Sequence, residues 1–171
     1  QQKKAVSGMR AIPEGVRALL EPLEAAGHEA WCVGGCVRDM LLADLRMLNG
    51  ARPPVRGPED WDVTTSALPE ETLAVFQERA VPTGLKHGTV TVLVEGEPYE
   101  ITTYRTEGPY SDSRRPDYVK FVSSLEADLA RRDFTMNAIA LGLEGNPQAP
   151  FGGAEDIQAG VIRCVGEPAQ R

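Results

Sequence analysis

Apolar residues near the start of the chain recur three and four apart: Ile12, Val16, Leu19, Leu20 and Leu23. This spacing predicts an amphipathic helix over 12–26, with Pro13 suited to the first turn and Pro22 placed to shorten or kink it. The compact run "EAWCV" (29–33) reads as a buried strand stopped by Gly34-Gly35, and "CVRDMLLADL" (36–45) reads as a second helix. Residues 46–59 carry no period and are rich in Gly and Pro, which predicts a loop. A strand is expected over 60–65 and a helix over 68–80, whose first turn holds Pro69 and two glutamates that suit the helix dipole. Val90, Val92 and Val94 then alternate along a strand, "EGEP" makes a turn, and a second strand is expected over Tyr99–Arg105. A polar, turn-rich segment, 106–117, is a candidate mobile loop. Beyond it come a short strand (118–122), a helical region through 123–143, and a closing turn, short helix and strand over 150–171. The sum is a mixed α/β (α+β) domain, with residues 1–10 as an N-terminal extension and 11–171 as one domain.

The 171 residues are enough for a single core, since 42% are hydrophobic, and no apolar run reaches the length of a membrane span. The N-terminal "QQKKAVSGMR" has no apolar stretch behind it and so does not read as a signal peptide. It also lacks an initiating Met, as a processed or trimmed start would. Cys32, Cys36 and Cys164 have no metal-type spacing and read as small thiols in a reducing cytoplasm; His28 and His87 are too few and too separated for a zinc site. The net charge of −7 excludes a free-standing basic binder of nucleic acid, so any such contact is local or relies on further protein.

The chemistry-bearing residues come in a fixed order. In "EDWDVTTS", strand alternation sends Asp60 and Asp62 to one face and Trp61 and Val63 to the other. Two carboxylates this close repel unless a cation lies between them, and Mg²⁺ or Mn²⁺ with oxygen ligands meets that cost. The tripeptide is also compatible with a strand opening at a solvated turn. Glu100 becomes a third carboxylate if its strand lies beside that of Asp60; otherwise it is a surface glutamate. Gly34-Gly35 opens a helix whose free N–H groups suit a triphosphate, and Arg38 adds a forked cation one turn in; a plain tight turn is the alternative. Arg131, Arg132 and Asp133 could hold a phosphate and a sugar hydroxyl, or form local salt bridges.

"VGGCVRD", "DWDVTT", "GLKHGTVTV", "EITTYR", "RRPDYVKF" and "DLARRDFTMNAIA" together resemble the bacterial tRNA nucleotidyltransferases, the CCA-adding enzymes of the class shared with bacterial poly(A) polymerases. The resemblance runs from about Ile12 to the C-terminus. It implies a catalytic head of the DNA polymerase β-like nucleotidyltransferase fold, a mixed sheet flanked by helices. It also implies that Asp60 and Asp62 bind the catalytic Mg²⁺ (or Mn²⁺), and that Glu100 is the third catalytic carboxylate. Gly34, Gly35 and Arg38 would hold the triphosphate, while Arg132 and Asp133 would contact the incoming nucleotide and favour ribose. The expected reaction is metal-dependent transfer of a nucleotidyl group from CTP or ATP to a tRNA 3′ end in the cytoplasm, adding the whole CCA triplet or only its CC or A part and releasing pyrophosphate. Poly(A) polymerase is the close alternative, against which "NAIA" leans mildly, and a non-catalytic nucleotide-binding module is a further one. The segment between Asp39 and Asp60 is longer than the family linker. The sequence stops at "VGEPAQR", where similar enzymes continue into a helical neck that reads the nucleobase and into a tRNA-gripping body. The expectation is therefore an isolated head that discriminates CTP from ATP poorly.

Overall fold

The computed structural model describes residues 12–52, 60–107 and 119–167. In chain order the helices are α1 (Glu14–Ala25), α2 (Gly35–Leu48), α3 (Pro69–Phe76), α4 (Leu125–Ala130) and α5 (Gly153–Ala159). The strands are β1 (Ala30–Val33), β2 (Asp62–Thr65), β3 (Ala80–Gly84), β4 (Thr89–Val94), β5 (Glu97–Thr103), β6 (Arg105–Glu107), β7 (Val119–Phe121), β8 (Ala140–Leu141) and β9 (Pro147–Gln148). Seven strands form a mixed sheet in the order β3-β4-β5-β2-β1-β8-β9, and β6 and β7 make a separate ribbon. Within the large sheet β2 and β5 run parallel; its other pairings are antiparallel.

Strand alternation divides the core between the two sheet faces. On one face Ala30, Cys32, Val63, Ile101, Val90 and Val92 pack with Val16, Leu19, Leu20 and Leu23 of α1, Val37 and Met40 of α2, and Phe76 of α3. Val33 and Ala140 turn to the opposite face, where Leu129, Ala138 and Val165 close a smaller core. That second core covers only the β1–β8 side. The same face over β2, β5 and β4 carries polar side chains, because the registers Val33↔Asp62, Asp62↔Glu100 and Thr91↔Glu100 continue one row across four strands. Among the described residues no helix is long and apolar enough to cross a membrane.

Several expectations are corrected. The helical region over 123–143 is not one helix. α4 ends at Ala130, residues Thr135–Asn137 form a 3-10 turn, and Ala140–Leu141 is a strand paired with β1. The apolar run 138–141 is buried throughout, so it has no polar face to reveal its period. α2 extends to Leu48, three residues into the predicted loop, since nothing in "RML" breaks a helix. The helix over 68–80 stops at Phe76, and Ala80 already belongs to edge strand β3, whose largely exposed residues and Pro82 gave no strand signal. β2 opens at Asp62 rather than Asp60, β5 starts at Glu97, and Arg105 opens β6 instead of ending β5. The expected last strand is a single bridge, Phe134↔Cys164. α1 runs through Pro22, whose missing N–H falls near its C-terminal end. The predicted loop over 46–59 lies outside the described residues from 53 on; of the candidate mobile loop over 106–117, Thr106 and Glu107 belong to strand β6, and 108–117 lie outside the described residues.

Candidate active site

Trp61 is buried at 7% exposure in the main core, and this anchors the chain so that Asp60 and Asp62 turn outward at the head of β2. β5 lies beside β2 in parallel, with Glu100 directly opposite Asp62. The third carboxylate thus reaches the same row as the second. Asp60, Asp62, Glu97 and Glu100 line one cleft of about 340 Å³. The Asp62 carboxyl is held above its ordinary value of 3.8: burial by the cleft wall contributes most, followed by repulsion from Glu100, with Arg132 opposing and Asp60 adding further repulsion. The residue as a whole is nonetheless exposed, unlike Val63, Thr64 and Thr65 behind it. Among the described residues, no three His, Cys, Asp or Glu side chains stand close enough to form a ready-made metal cage. The donor set is nonetheless the kind a hard divalent cation takes, all carboxylate oxygen, with Asp62 and Glu100 in one row on the same sheet face.

A second cleft of about 390 Å³ opens on the other side of Asp62, lined by Gly34, Gly35, Arg38, Arg132, Asp133 and Asn137 together with Glu107 and Arg131. Gly34 joins β1 to α2 with φ +82, a conformation that side chains other than glycine rarely adopt. A Cβ there would stand 3.7 Å from Nη1 of Arg132 and 4.0 Å from Oδ2 of Asp62, so the bare backbone runs between guanidinium and carboxylate. Arg38 donates from Nε to Oδ1 of Asp39 (3.0 Å) and from Nη1 to Oδ1 of Asn137 (2.9 Å). Oδ1 of Asp133 accepts from the Phe134 N–H (2.7 Å) and from Nδ2 of Asn137 (3.2 Å).

The arginines of the R-R-D turn are held from below by Asp128, which is fully buried. Arg131 Nε lies 3.6 Å from its Oδ1 and Arg132 Nη2 lies 3.5 Å from its Oδ2, while the Arg105 N–H donates to Oδ1 at 3.0 Å. Glu107 accepts from Arg105 Nη2 (3.0 Å) and Arg131 Nη1 (3.3 Å). Burial lowers the pKa of Arg132, and neighbouring Arg131 lowers it further, whereas Asp128 opposes both. The Arg132 Nε is buried with no hydrogen-bond partner among the described residues.

All eight sequence-predicted residues therefore line two clefts that meet at Asp62: Asp60 and Glu100 in one, Gly34, Gly35, Arg38, Arg132 and Asp133 in the other. Sequence reasoning missed Asp128, Glu107 and Asn137. Asp128 carried a signal, since it precedes Arg132 by four residues in a helical stretch. Asn137 carried none, because its partner Arg38 is 99 residues away.

Comparison with known proteins shows the family and the fold. The family model described as "Poly A polymerase head domain" matches residues 30–163. The CCA-adding enzyme of Lactobacillus helveticus is 50% identical over 153 residues, covering 90% of this chain and 35% of that protein. A Bacillus cereus CCA-adding enzyme is 52% identical over 154 residues, with 90% and 36% covered. The crystal structure of Bacillus stearothermophilus CCA-adding enzyme in complex with CTP superposes with a TM-score of 0.73 at 41% identity, over 91% of this chain and 35% of that one. A tRNA nucleotidyltransferase complexed with a primer tRNA and an incoming ATP analogue gives a TM-score of 0.57 at 27% identity, over 86% and 39%. The chain spans about a third of the length of these relatives. On the family match across most of its length, the chain belongs to the poly(A) polymerase head-domain family.

Proposed function

We propose that this chain is the nucleotidyl-transferring head of a CCA-adding enzyme, working on CTP and ATP as nucleotide donors and a tRNA 3′ end as acceptor. The observation that carries the reading is Asp62, which lines both the acidic cleft and the guanidinium-bearing cleft. A phosphoryl centre beside Asp62 would have cation-binding carboxylates on one side and anion-binding groups on the other. The names of the relatives favour tRNA over poly(A) extension.

In this reading Arg132, Arg38 and the backbone at Gly34-Gly35 bind the triphosphate, with Nη1 of Arg132 the donor nearest the Gly34 backbone. Asp133 accepts a hydrogen bond from the ribose. Asp60, Asp62 and Glu100 would hold Mg²⁺ or Mn²⁺, which supplies acidification of the primer hydroxyl and neutralisation of the pyrophosphate. The 3′-oxygen bonds to the α-phosphorus as the α–β bridging bond breaks, in line. No side chain becomes covalently attached. A cytoplasmic setting belongs to the same reading, as Cys32, Cys36 and Cys164 are free thiols.

Calorimetric titration of CTP into this chain with Mn²⁺ tests the proposal, comparing wild type with Asp60→Ala/Asp62→Ala and Arg132→Ala. Metal-dependent binding that both variants lose is expected. Binding unchanged in both would place the nucleotide elsewhere and sink the reading.

A further inference from the structure

We infer that Asn137 is a positioning residue that sets the outward-facing atoms of both Arg38 and Asp133, and so tunes the preference for a ribonucleotide. The inference rests on the function proposed above. The carboxamide spans the two groups: its Oδ1 accepts from Arg38 Nη1 at 2.9 Å and its Nδ2 donates to Asp133 Oδ1 at 3.2 Å. The partners fix its orientation, because a flipped amide would turn NH₂ toward a donor and C=O toward an acceptor. An aspartate would keep the first bond and place a like charge against Asp133. An alanine would lose both.

Each partner keeps one defined atom for the cleft. Arg38 has Nε committed to Asp39 and Nη1 committed to Asn137, which leaves Nη2, the atom that would lie 3.3 Å from a Cβ on Gly35. Asp133 has Oδ1 occupied by the Phe134 N–H and by Asn137, which leaves Oδ2 without a hydrogen-bond partner among the described residues. In the proposed function one nitrogen thus faces a phosphate position and one oxygen a sugar-hydroxyl position, and Asn137 is the group that ties the two together.

The amide can do this because its own backbone is fixed from behind. The Asn137 N–H donates to the Phe134 carbonyl at 3.0 Å, closing the turn. Thr135, at 2% exposure, donates its hydroxyl to Asp156 of α5 at 2.7 Å and its N–H to the Arg163 carbonyl at 2.9 Å. Without the amide, the Asp133 carboxylate keeps only the Phe134 N–H among the described residues, so it can turn about that single bond and Oδ2 loses its fixed direction.

The test measures Kd for CTP and for 2′-deoxy-CTP, with Mn²⁺, on this chain as wild type, Asn137→Asp and Asn137→Ala. Wild type is expected to favour CTP, and both variants to lose about tenfold of that preference. The preference is a ratio taken within each variant, so a partly destabilised variant still reports it. An unchanged ratio in both variants overturns the inference while leaving the functional reading intact. Equal binding of the two nucleotides by wild type also overturns it, through Asp133. Binding of neither nucleotide by wild type overturns the functional reading and the inference together.

Discussion

Gly153→Ala is the sharpest test of how rigidly α5 buttresses the site. A Cβ at Gly153 would fall 2.0 Å from the Thr135 carbonyl oxygen, 2.7 Å from its carbon and 2.9 Å from Cγ1 of Ile139. Ordinary contact begins near 3.4 Å, so the methyl and the oxygen must part by about 1.4 Å. The obstacle is backbone, and that backbone is pinned. Thr135 is tied to Asp156 through its hydroxyl and to Arg163 through its N–H, and its carbonyl accepts from the Ala138 N–H at 3.0 Å. Overpacking costs ~1–3 kcal/mol, and a displaced hydrogen bond adds ~1 kcal/mol. The helix propensity gained on replacing glycine returns ~0.5–1 kcal/mol. The net is a loss of ~1–3.5 kcal/mol, which for a domain of this size lowers Tm by roughly 2–14 °C.

Circular dichroism melts of the two chains measure it directly. Gly15→Ala is the control: its Cβ would meet the hydroxyl of Tyr99 at 2.6 Å, the movable end of a side chain, so that variant should stay near wild type. Because Asn137 lies two residues beyond Thr135, Gly153→Ala should also weaken CTP binding. A Gly153→Ala chain that melts at or above wild type and binds CTP equally would refute the buttress argument, since every value in the expected range is a loss.

Asp62→Asn should raise Tm at pH 7 in the presence of EDTA. The folded Asp62 pKa lies above 3.8, so the folded state holds its proton more tightly and stability falls as pH rises through the raised value; the gain should vanish below about 3.8. Equal melting at pH 7 would contradict this. Asp128→Ala should cost ~3 kcal/mol in urea melts, near the low end for a broken buried ion pair because Arg131 keeps Glu107; a loss under ~1 kcal/mol would dismiss the anchoring role. In the native chain Cys164, half-buried, should react with a thiol reagent first. Cys32 and Cys36 should wait for unfolding, since burial pushes the Cys36 thiol up to about 11 and raises Cys32 as well; three thiols modified at one rate would contradict the buried pair.

How far the site was legible depended on whether its residues were neighbours in sequence. Asp60 and Asp62 share a face by strand alternation, and Gly34-Gly35 marks the strand-to-helix junction; both features are local, and both could be read. Glu100 could be read only as a condition, because its place beside Asp62 is a fact of strand order and register. The run 138–141 misled because it is buried on both faces of the sheet, which erases the pattern that separates strand from helix. β3 was invisible for the opposite reason, as an exposed edge strand has no apolar alternation to display. Asn137 looked like any polar turn residue until the fold brought Arg38 to it.

The register of β2 against β5 also explains why the charge repulsion at Asp62 cannot relax away. On the same two strands Val63 and Ile101 are paired, each at 1% exposure in the main core. Sliding β5 by one residue would separate Glu100 from Asp62, but it would also turn Ile101 to the open face and Glu100 into the core. Burying an unpaired carboxylate costs several kcal/mol, and exposing an isoleucine costs roughly 1.5–3 kcal/mol more. The apolar packing therefore holds the two carboxylates side by side, about 4.8 Å apart at the backbone as neighbouring strands are. Arg132 offsets part of the repulsion, and what remains the fold can relieve by gaining a proton or a cation. At neutral pH, in the function proposed here, the second of these is the one that leaves Asp62 an ionised ligand.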